Sequence, residues 1–98
     1  MARVTFSLLA RGRNPGSNVC IVLLEAGDRV RAVVSESDQR TIPQAEVDGL
    51  LKALGVLKEP CEVELRTCSQ CLIKRLKNLD TFPHAVTGVY VPKERRNG

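Results

Sequence analysis

Apolar residues recur along the chain in two patterns that together predict five strands and two helices. Short apolar or alternating runs between turn residues are typical of strands, whereas apolar residues spaced three and four apart are typical of helices. The tight turn Ala26-Gly27-Asp28 between two such runs indicates a β-hairpin. Strands are expected at 3–10, 19–25, 29–35, 61–67 and 85–91, and helices at about 42–54 and 69–78.

Local signals mark the ends of the first helix and the faces of the strands. Thr41, followed three residues later by Gln44, forms a capping box, and Gly55 ends the helix. The first strand is almost continuously apolar, so we expect it to be buried on both faces. The polar stretches 11–18 and 36–40 are expected to be connections between elements.

The order βββαβαβ predicts a single α/β domain built on a mixed sheet. Three strands joined by hairpins would form an antiparallel meander, and the two helices would form right-handed crossovers to parallel strands. A chain of 98 residues is long enough for one small domain. We assign that domain to residues 1–92 and a basic tail, which includes Arg95 and Arg96, to residues 93–98.

Composition narrows the choice of partners and location. The formal net charge is +4, which favours nucleic acid or an acidic protein surface as a partner. Because Trp is absent and Phe and Tyr are scarce, a stacking platform for single strands is not expected. No apolar run approaches the length of a signal peptide or a membrane span, so we expect a soluble, cytoplasmic protein with free thiols and no membrane contact.

Three motifs lie at the junctions between predicted elements. They are Arg13-Asn14-Pro15-Gly16 after the first strand, Thr41 with Gln44-Ala45-Glu46 at the start of the first helix, and Thr67-Cys68-Ser69-Gln70 after the fourth strand. In this order they resemble the ribonuclease H family, and the resemblance covers about residues 3–78. It implies a mixed sheet of strand order 3-2-1-4-5. Family members usually add a final helix, which this chain is expected to lack.

The resemblance also implies a degenerate active site. In the family, clustered carboxylates hold two divalent metal ions that act on a phosphodiester. Here the first Asp position falls on Leu8 and the second on Cys68, and only Glu46 remains. Leu8 offers no ligand and a thiol is a poor match for Mg²⁺, so we expect no metal, no cofactor and no hydrolytic activity. Glu46 could instead simply favour the dipole at the start of its helix.

The turn and the basic residues predict contact with nucleic acid. The family's Asn-Pro-Gly turn lies close to the sugar–phosphate backbone, although Ile42-Pro43 here replaces an Asn pair that would contact substrate. Basic side chains could neutralise phosphates, or could simply form a solvated surface. The predicted contacts are Arg11, Arg13, Asn14, Gly16, Lys74, Arg75 and Lys77.

Two other functions stay open at this point. A small inactive domain could act as a protein-binding inhibitor or adaptor of a nucleic-acid-processing complex, such as a phage-encoded anti-defence protein, and could form a homodimer through a sheet edge. Alternatively, Cys68-x-x-Cys71 could form a redox pair, or could bind zinc with Cys61 or Cys20 and with His84. The simpler interpretation places Cys20 and Cys61 in the core, packs Cys71 on the helix and leaves His84 at the surface.

Overall fold

The computed structural model describes residues 1–93, and residues 94–98, including Arg95 and Arg96 of the predicted tail, lie outside the described residues. Five strands and two α-helices account for most of this part of the chain. A short 3-10 helix, Leu76–Asn78, follows the second α-helix. The elements are β1 (Ala2–Gly12), β2 (Gly16–Ala26), β3 (Arg29–Arg40), α1 (Ile42–Leu54), β4 (Cys61–Thr67), α2 (Gln70–Arg75) and β5 (Ala85–Tyr90).

The strands form one mixed sheet in the order β3-β2-β1-β4-β5, which confirms the predicted topology. The strands β1, β2 and β3 pair in antiparallel fashion, and β4 pairs in parallel with both β1 and β5. The two parallel pairs arise because α1 and α2 return the chain to the same end of the sheet. No helix within residues 1–93 is both long enough and apolar enough to cross a membrane.

Strand lengths differ from the prediction at two places. The loop predicted at 11–18 is shortened to residues 13–15, because β1 continues to Gly12 and β2 already begins at Gly16. The stretch 36–40 likewise belongs to β3, in which Ser37 pairs with Asn18 and Arg40 pairs with Gly16. Backbone hydrogen bonds to the neighbouring strand extend β1, β2 and β3 through polar positions. The pattern of apolar residues does not reveal this pairing.

The core lies between one face of the sheet and the two helices. Alternate side chains of β1 point into it, led by Phe6, which is completely buried. The helix α1 packs closely over β2, since a Cβ at Gly49 would overlap the Cys20 Sγ atom and lie 2.9 Å from its Cβ atom. The fully buried large side chains are Phe6, Leu50, Leu65, Leu72, Val22 and Cys20.

The opposite face of the sheet is covered by neither α1 nor α2. The prediction that β1 is buried on both faces is therefore wrong: Val4, Phe6 and Leu8 are buried, while Leu9 on the other face is exposed. The neighbouring Ile21 is exposed in the same way. The apolar character of β1 did not reveal this, because burial of the second face depends on whether another layer packs there.

The second helix is shorter than predicted. The α-helical conformation ends at Arg75 and the chain tightens into the 3-10 helix at Leu76–Asn78. Leu72 is buried, whereas Leu76 and Leu79 only pack against the edge of the core.

Candidate functional site

The carboxyl ends of β1 and β4 meet at the positions where the resemblance implies carboxylates. In the parallel register Leu8 pairs with Thr67, and Cys68 follows directly. Leu8 is buried, with 5% of its surface exposed, and Cys68 is half-buried. Both residues line one open groove of about 460 Å³. The structure therefore brings these two positions together at one end of the sheet.

Glu46 joins this end of the sheet from α1. Its carboxylate accepts a hydrogen bond of 2.8 Å from the Ser69 hydroxyl, the residue after Cys68. The same hydroxyl caps α2 by accepting from the Leu72 backbone N–H at 3.1 Å. Glu46 is buried, and burial raises the pKa of its carboxyl, against the opposing effects of the Ser69 hydrogen bond and the positive charge of Arg75. Ser69 thus ties Glu46 to the end of β4.

The donors at this site do not fit a pair of magnesium ions. Mg²⁺ prefers carboxylate and water oxygens in octahedral geometry, and Glu46 supplies the one carboxylate among these three positions. The Leu8 side chain has no donor atom and the Cys68 thiol is soft. Within residues 1–93, no group of three or more His, Cys, Asp or Glu side chains is placed to hold a metal ion.

The turn at residues 13–16 is fixed by hydrogen bonds to its surroundings. The Arg13 N–H donates to the Ser17 carbonyl at 2.9 Å, and the Asn18 side-chain amide donates to the Arg13 carbonyl at 3.0 Å. The Asn14 side-chain oxygen accepts from the Ile42 N–H at 2.9 Å, at the start of α1. Gly12 and Gly16 at the two ends have φ angles of 128° and 144°, which L side chains rarely adopt.

Known ribonucleases H share this architecture. No family model matches the chain. Over 61 residues, which are 62% of this chain and 42% of the relative, it is 38% identical to a protein named ribonuclease H from Geotalea uraniireducens. The crystal structure of ribonuclease H1 from the halophilic archaeon Halobacterium salinarum superposes with a TM-score of 0.74 at 25% identity, covering 93% of this chain and 86% of that one.

The chain has the ribonuclease H-like fold. A second structure, LC11-RNase H1 in complex with an RNA/DNA hybrid, has the same fold, with a TM-score of 0.66 at 13% identity over 92% of this chain and 86% of that one. The chain spans about two fifths of the length of the curated ribonuclease H that it matches.

The predicted basic contacts of this ribonuclease H-like domain fall into two groups. Arg11 and Arg13 are exposed at the β1–β2 turn, where Arg11 shares a groove of about 420 Å³ with the carboxylates Glu36 and Asp38. Lys74, Arg75 and Lys77 are exposed on α2 and the 3-10 helix, which lie beside β4 and β5.

Sequence reasoning missed two basic residues at the groove beside Leu8 and Cys68. Arg66 and Lys93 line this groove, and the Arg66 guanidinium also pairs with Glu64 at 2.8 Å. Alternation along β4 places Arg66 on the opposite face from Val63 and Leu65, but only the sheet order shows that this face borders the candidate site.

Sequence reasoning also missed Arg40, which is buried beside the turn. Its guanidinium donates to the Ser35 carbonyl at 2.7 Å, to the Asn18 side-chain oxygen at 2.6 Å and to the Asp48 carboxylate at 3.1 Å. Only 6% of its side chain is exposed. Nothing in the sequence distinguishes Arg40 from the exposed arginines, because its partners come from β2, β3 and α1.

The four cysteines of the ribonuclease H-like domain are free thiols in two different environments. Cys20 and Cys61 are buried, as the simpler interpretation predicted. Burial, reinforced by the nearby Glu46 carboxylate and opposed by Arg40, raises the pKa of the Cys20 thiol to about 12. Cys71 is exposed, so the prediction that it packs on the helix is wrong.

His84 is half-buried and its side chain forms a hydrogen bond to the sheet, so the expectation that it is a surface residue is corrected. Its Nδ1 atom accepts a hydrogen bond of 3.1 Å from the Cys61 backbone N–H, at the start of β4. The loop after the 3-10 helix holds it there through the Thr81 hydroxyl, which donates to the His84 carbonyl at 3.2 Å. The histidine therefore fastens this loop to the sheet.

Proposed function

We propose that this ribonuclease H-like domain binds nucleic acid without cleaving it by metal-dependent hydrolysis. The observation that carries the proposal is the pairing of Leu8 with Thr67 beside Cys68, since it places two side chains unsuited to Mg²⁺ at the end of the parallel strands. Glu46, the remaining carboxylate, is buried and hydrogen-bonded to Ser69. The complex of the similar LC11-RNase H1 with an RNA/DNA hybrid supports nucleic acid as the ligand.

The charges around the groove support binding that does not need a divalent ion. Arg66 and Lys93 line the groove. Arg75 does not line it, but its positive charge acts on the neighbouring Glu46, where it opposes the rise in the pKa of that carboxyl. Metal ions in an acidic site neutralise phosphate, whereas here the protein's own cations would do so directly. We therefore expect affinity to fall as salt rises and not to require Mg²⁺, which would act only as a competing cation.

Fluorescence anisotropy tests the binding proposal. Labelled RNA–DNA hybrid, duplex DNA, duplex RNA and single strands are titrated over a salt series, with Mg²⁺ and with a chelator. We expect affinity to weaken as salt rises, to be no lower with the chelator than with Mg²⁺, and to fall in Arg11→Ala and Arg13→Ala. Arg3→Ala is the matched control, because Arg3 is a surface cation at the opposite end of β1.

A cleavage assay tests the absence of hydrolysis. We expect no cleavage of labelled hybrid with Mg²⁺ or Mn²⁺. Cleavage that is lost in Glu46→Gln would contradict the proposal. The double variant Leu8→Asp with Cys68→Asp provides the comparison, because calorimetric binding of Mn²⁺ by this variant, and not by the parent chain, would identify these positions as the missing ligands.

The alternative is that the domain is a protein-binding inhibitor or adaptor, and the anisotropy titration distinguishes it from nucleic-acid binding. If no nucleic acid binds even at low salt, the binding proposal fails and protein partners become the next candidates.

The position of β3 at the edge of the sheet is compatible with the predicted homodimer. Sedimentation over a range of protein concentrations tests that prediction.

A further inference from the structure

An open groove of about 800 Å³ lies at the end of the sheet opposite the candidate site. It is bordered by the first residues of β1, by the turn between β2 and β3, and by the segment after α1. Helix α1 ends at Leu54, so neither α-helix covers the sheet at this end. The volume falls within the range of sites that hold a ligand or a few side chains of a partner.

The floor of this groove is apolar. Val4 and Leu24 are buried in it, while Val56 and Leu57 from the segment after α1 only partly pack against the core. Val30 also borders the groove, but its side chain points to the opposite face of the sheet from Arg29 and Arg31, so it does not add to this floor. The floor therefore presents apolar surface that would be buried favourably against apolar side chains of a ligand.

Three cations border the same groove. Arg29 and Arg31 of β3 pair with Ala26 and Leu24, so their side chains lie on the face of the sheet that Leu24 occupies. Lys58 approaches from the segment after α1. Against these cations stands one lining carboxylate, Glu59.

These cations have no partner within the described part of the chain. Arg3, Arg40 and Arg66 each form an ion pair, whereas Arg29, Arg31 and Lys58 form neither an ion pair nor a side-chain hydrogen bond within residues 1–93. A cluster of unpaired cations around an apolar floor is complementary to a ligand that combines carboxylates with apolar side chains.

The edge of the sheet defines the shape of that ligand. The strand β3 is the outermost strand on its side, so its outer backbone groups are not paired with another strand at 29–31. An extended segment can add to such an edge, with alternate side chains entering a neighbouring groove. We propose that this groove binds an extended acidic segment of a partner protein, with apolar side chains on the floor and carboxylates on Arg29, Arg31 and Lys58. This inference goes beyond the proposed nucleic-acid binding and does not depend on it.

Peptide binding tests this inference. The probe is a short fluorescein-labelled peptide in which every second residue is Glu or Leu in turn, with Thr between them, so that Glu and Leu project from the same face of an extended strand. Anisotropy at low salt reports its binding. Two control peptides carry Lys in place of Glu, or Ser in place of Leu. We expect each control to bind the protein at least about tenfold more weakly, because each lacks one half of the complementarity.

Charge-matched variants locate the site. We expect Arg29→Gln with Arg31→Gln to weaken binding of the Glu/Leu peptide about tenfold, and Arg3→Gln with Arg66→Gln to change it less than about twofold. The second pair removes the same charge from the other face of the sheet. Thermal melts verify folding, and Lys58→Gln, in the segment after α1, provides an independent variant.

Three results would overturn the inference. The first is no binding of the Glu/Leu peptide at low salt, and the second is equal loss of affinity in the two double variants. The third is displacement of the peptide by RNA–DNA hybrid together with loss of peptide binding in Arg11→Ala, which would assign the peptide to the nucleic-acid site. Failure of nucleic-acid binding alone would leave the peptide result unchanged, so the two proposals fail separately.

Discussion

Arg40 and Asn18 form a reciprocal pair that fixes the turn at residues 13–16. The Arg40 guanidinium donates to the Asn18 side-chain oxygen at 2.6 Å, and the Asn18 amide donates to the Arg40 backbone carbonyl at 2.7 Å. The same Asn18 amide holds the Arg13 carbonyl of the turn. The buried Arg40 guanidinium thus supports the turn that carries several of the predicted nucleic-acid contacts.

Loss of Arg40 is expected to lower the free energy of unfolding strongly. Arg40→Ala would leave the buried Asn18 and Ser35 oxygens without their donor, at a cost of about 3 kcal/mol. Urea unfolding measures the change. Arg66→Ala is the control, because its ion pair with Glu64 is exposed and should contribute less than about 1 kcal/mol. Equal stability of the two variants would contradict the role given to Arg40.

A methyl group at Gly49 is expected to disturb the contact between α1 and β2. Its Cβ would overlap the Cys20 Sγ atom, so Gly49→Ala should cost about 1–3 kcal/mol. Gly55→Ala, where the nearest atom would lie at 3.4 Å and φ is −66°, should be close to neutral. Adding Cys20→Ala to Gly49→Ala should recover part of the loss, and a double-mutant cycle by urea unfolding measures the coupling. If the free-energy changes of Gly49→Ala and Cys20→Ala simply add, the destabilisation does not arise from the contact between these two residues.

The buried carboxyl of Glu46 is expected to weaken folding as pH rises. Because burial raises the folded-state pKa of Glu46 above its ordinary value of 4.5, the folded state keeps the proton longer than the unfolded state. Its contribution to stability is then fully present below pH 4.5 and is lost as pH rises through the folded-state pKa. Urea unfolding of the parent chain and of Glu46→Gln over a pH series should show that the variant gains stability relative to the parent as pH rises. A constant difference would show that Glu46 does not titrate in this way.

Thiol labelling is expected to separate the cysteines into two classes. With a small thiol reagent at neutral pH, the exposed Cys71 should react first and the half-buried Cys68 second. Cys20 should react only after unfolding, because its thiol is buried and its pKa is raised to about 12. Mass spectrometry of labelled peptides identifies each site, and Cys71→Ser confirms the first. Fast reaction of Cys20 in the folded protein would contradict the described packing.

The same assay tests the redox alternative, because a Cys68–Cys71 disulfide in the isolated protein would prevent both thiols from reacting with the reagent.

Local patterns in the sequence determined which elements form and which residues stand at their junctions. The alternation of Val63 and Leu65 with charged residues predicted β4, and the Thr41 hydroxyl caps α1 by accepting from the Gln44 N–H at 3.2 Å. These features could be predicted because neighbours in the sequence create them.

Only the tertiary structure decided which faces are buried and which charges are paired. Arg40 and Arg66 have the same side chain, yet one is enclosed by β2, β3 and α1 and the other is exposed. Leu9 is exposed because neither α-helix packs on its face of the sheet, and Arg29 borders a groove because α1 ends at Leu54. Burial and partner choice depend on segments that are distant in the sequence, so no local pattern contains them.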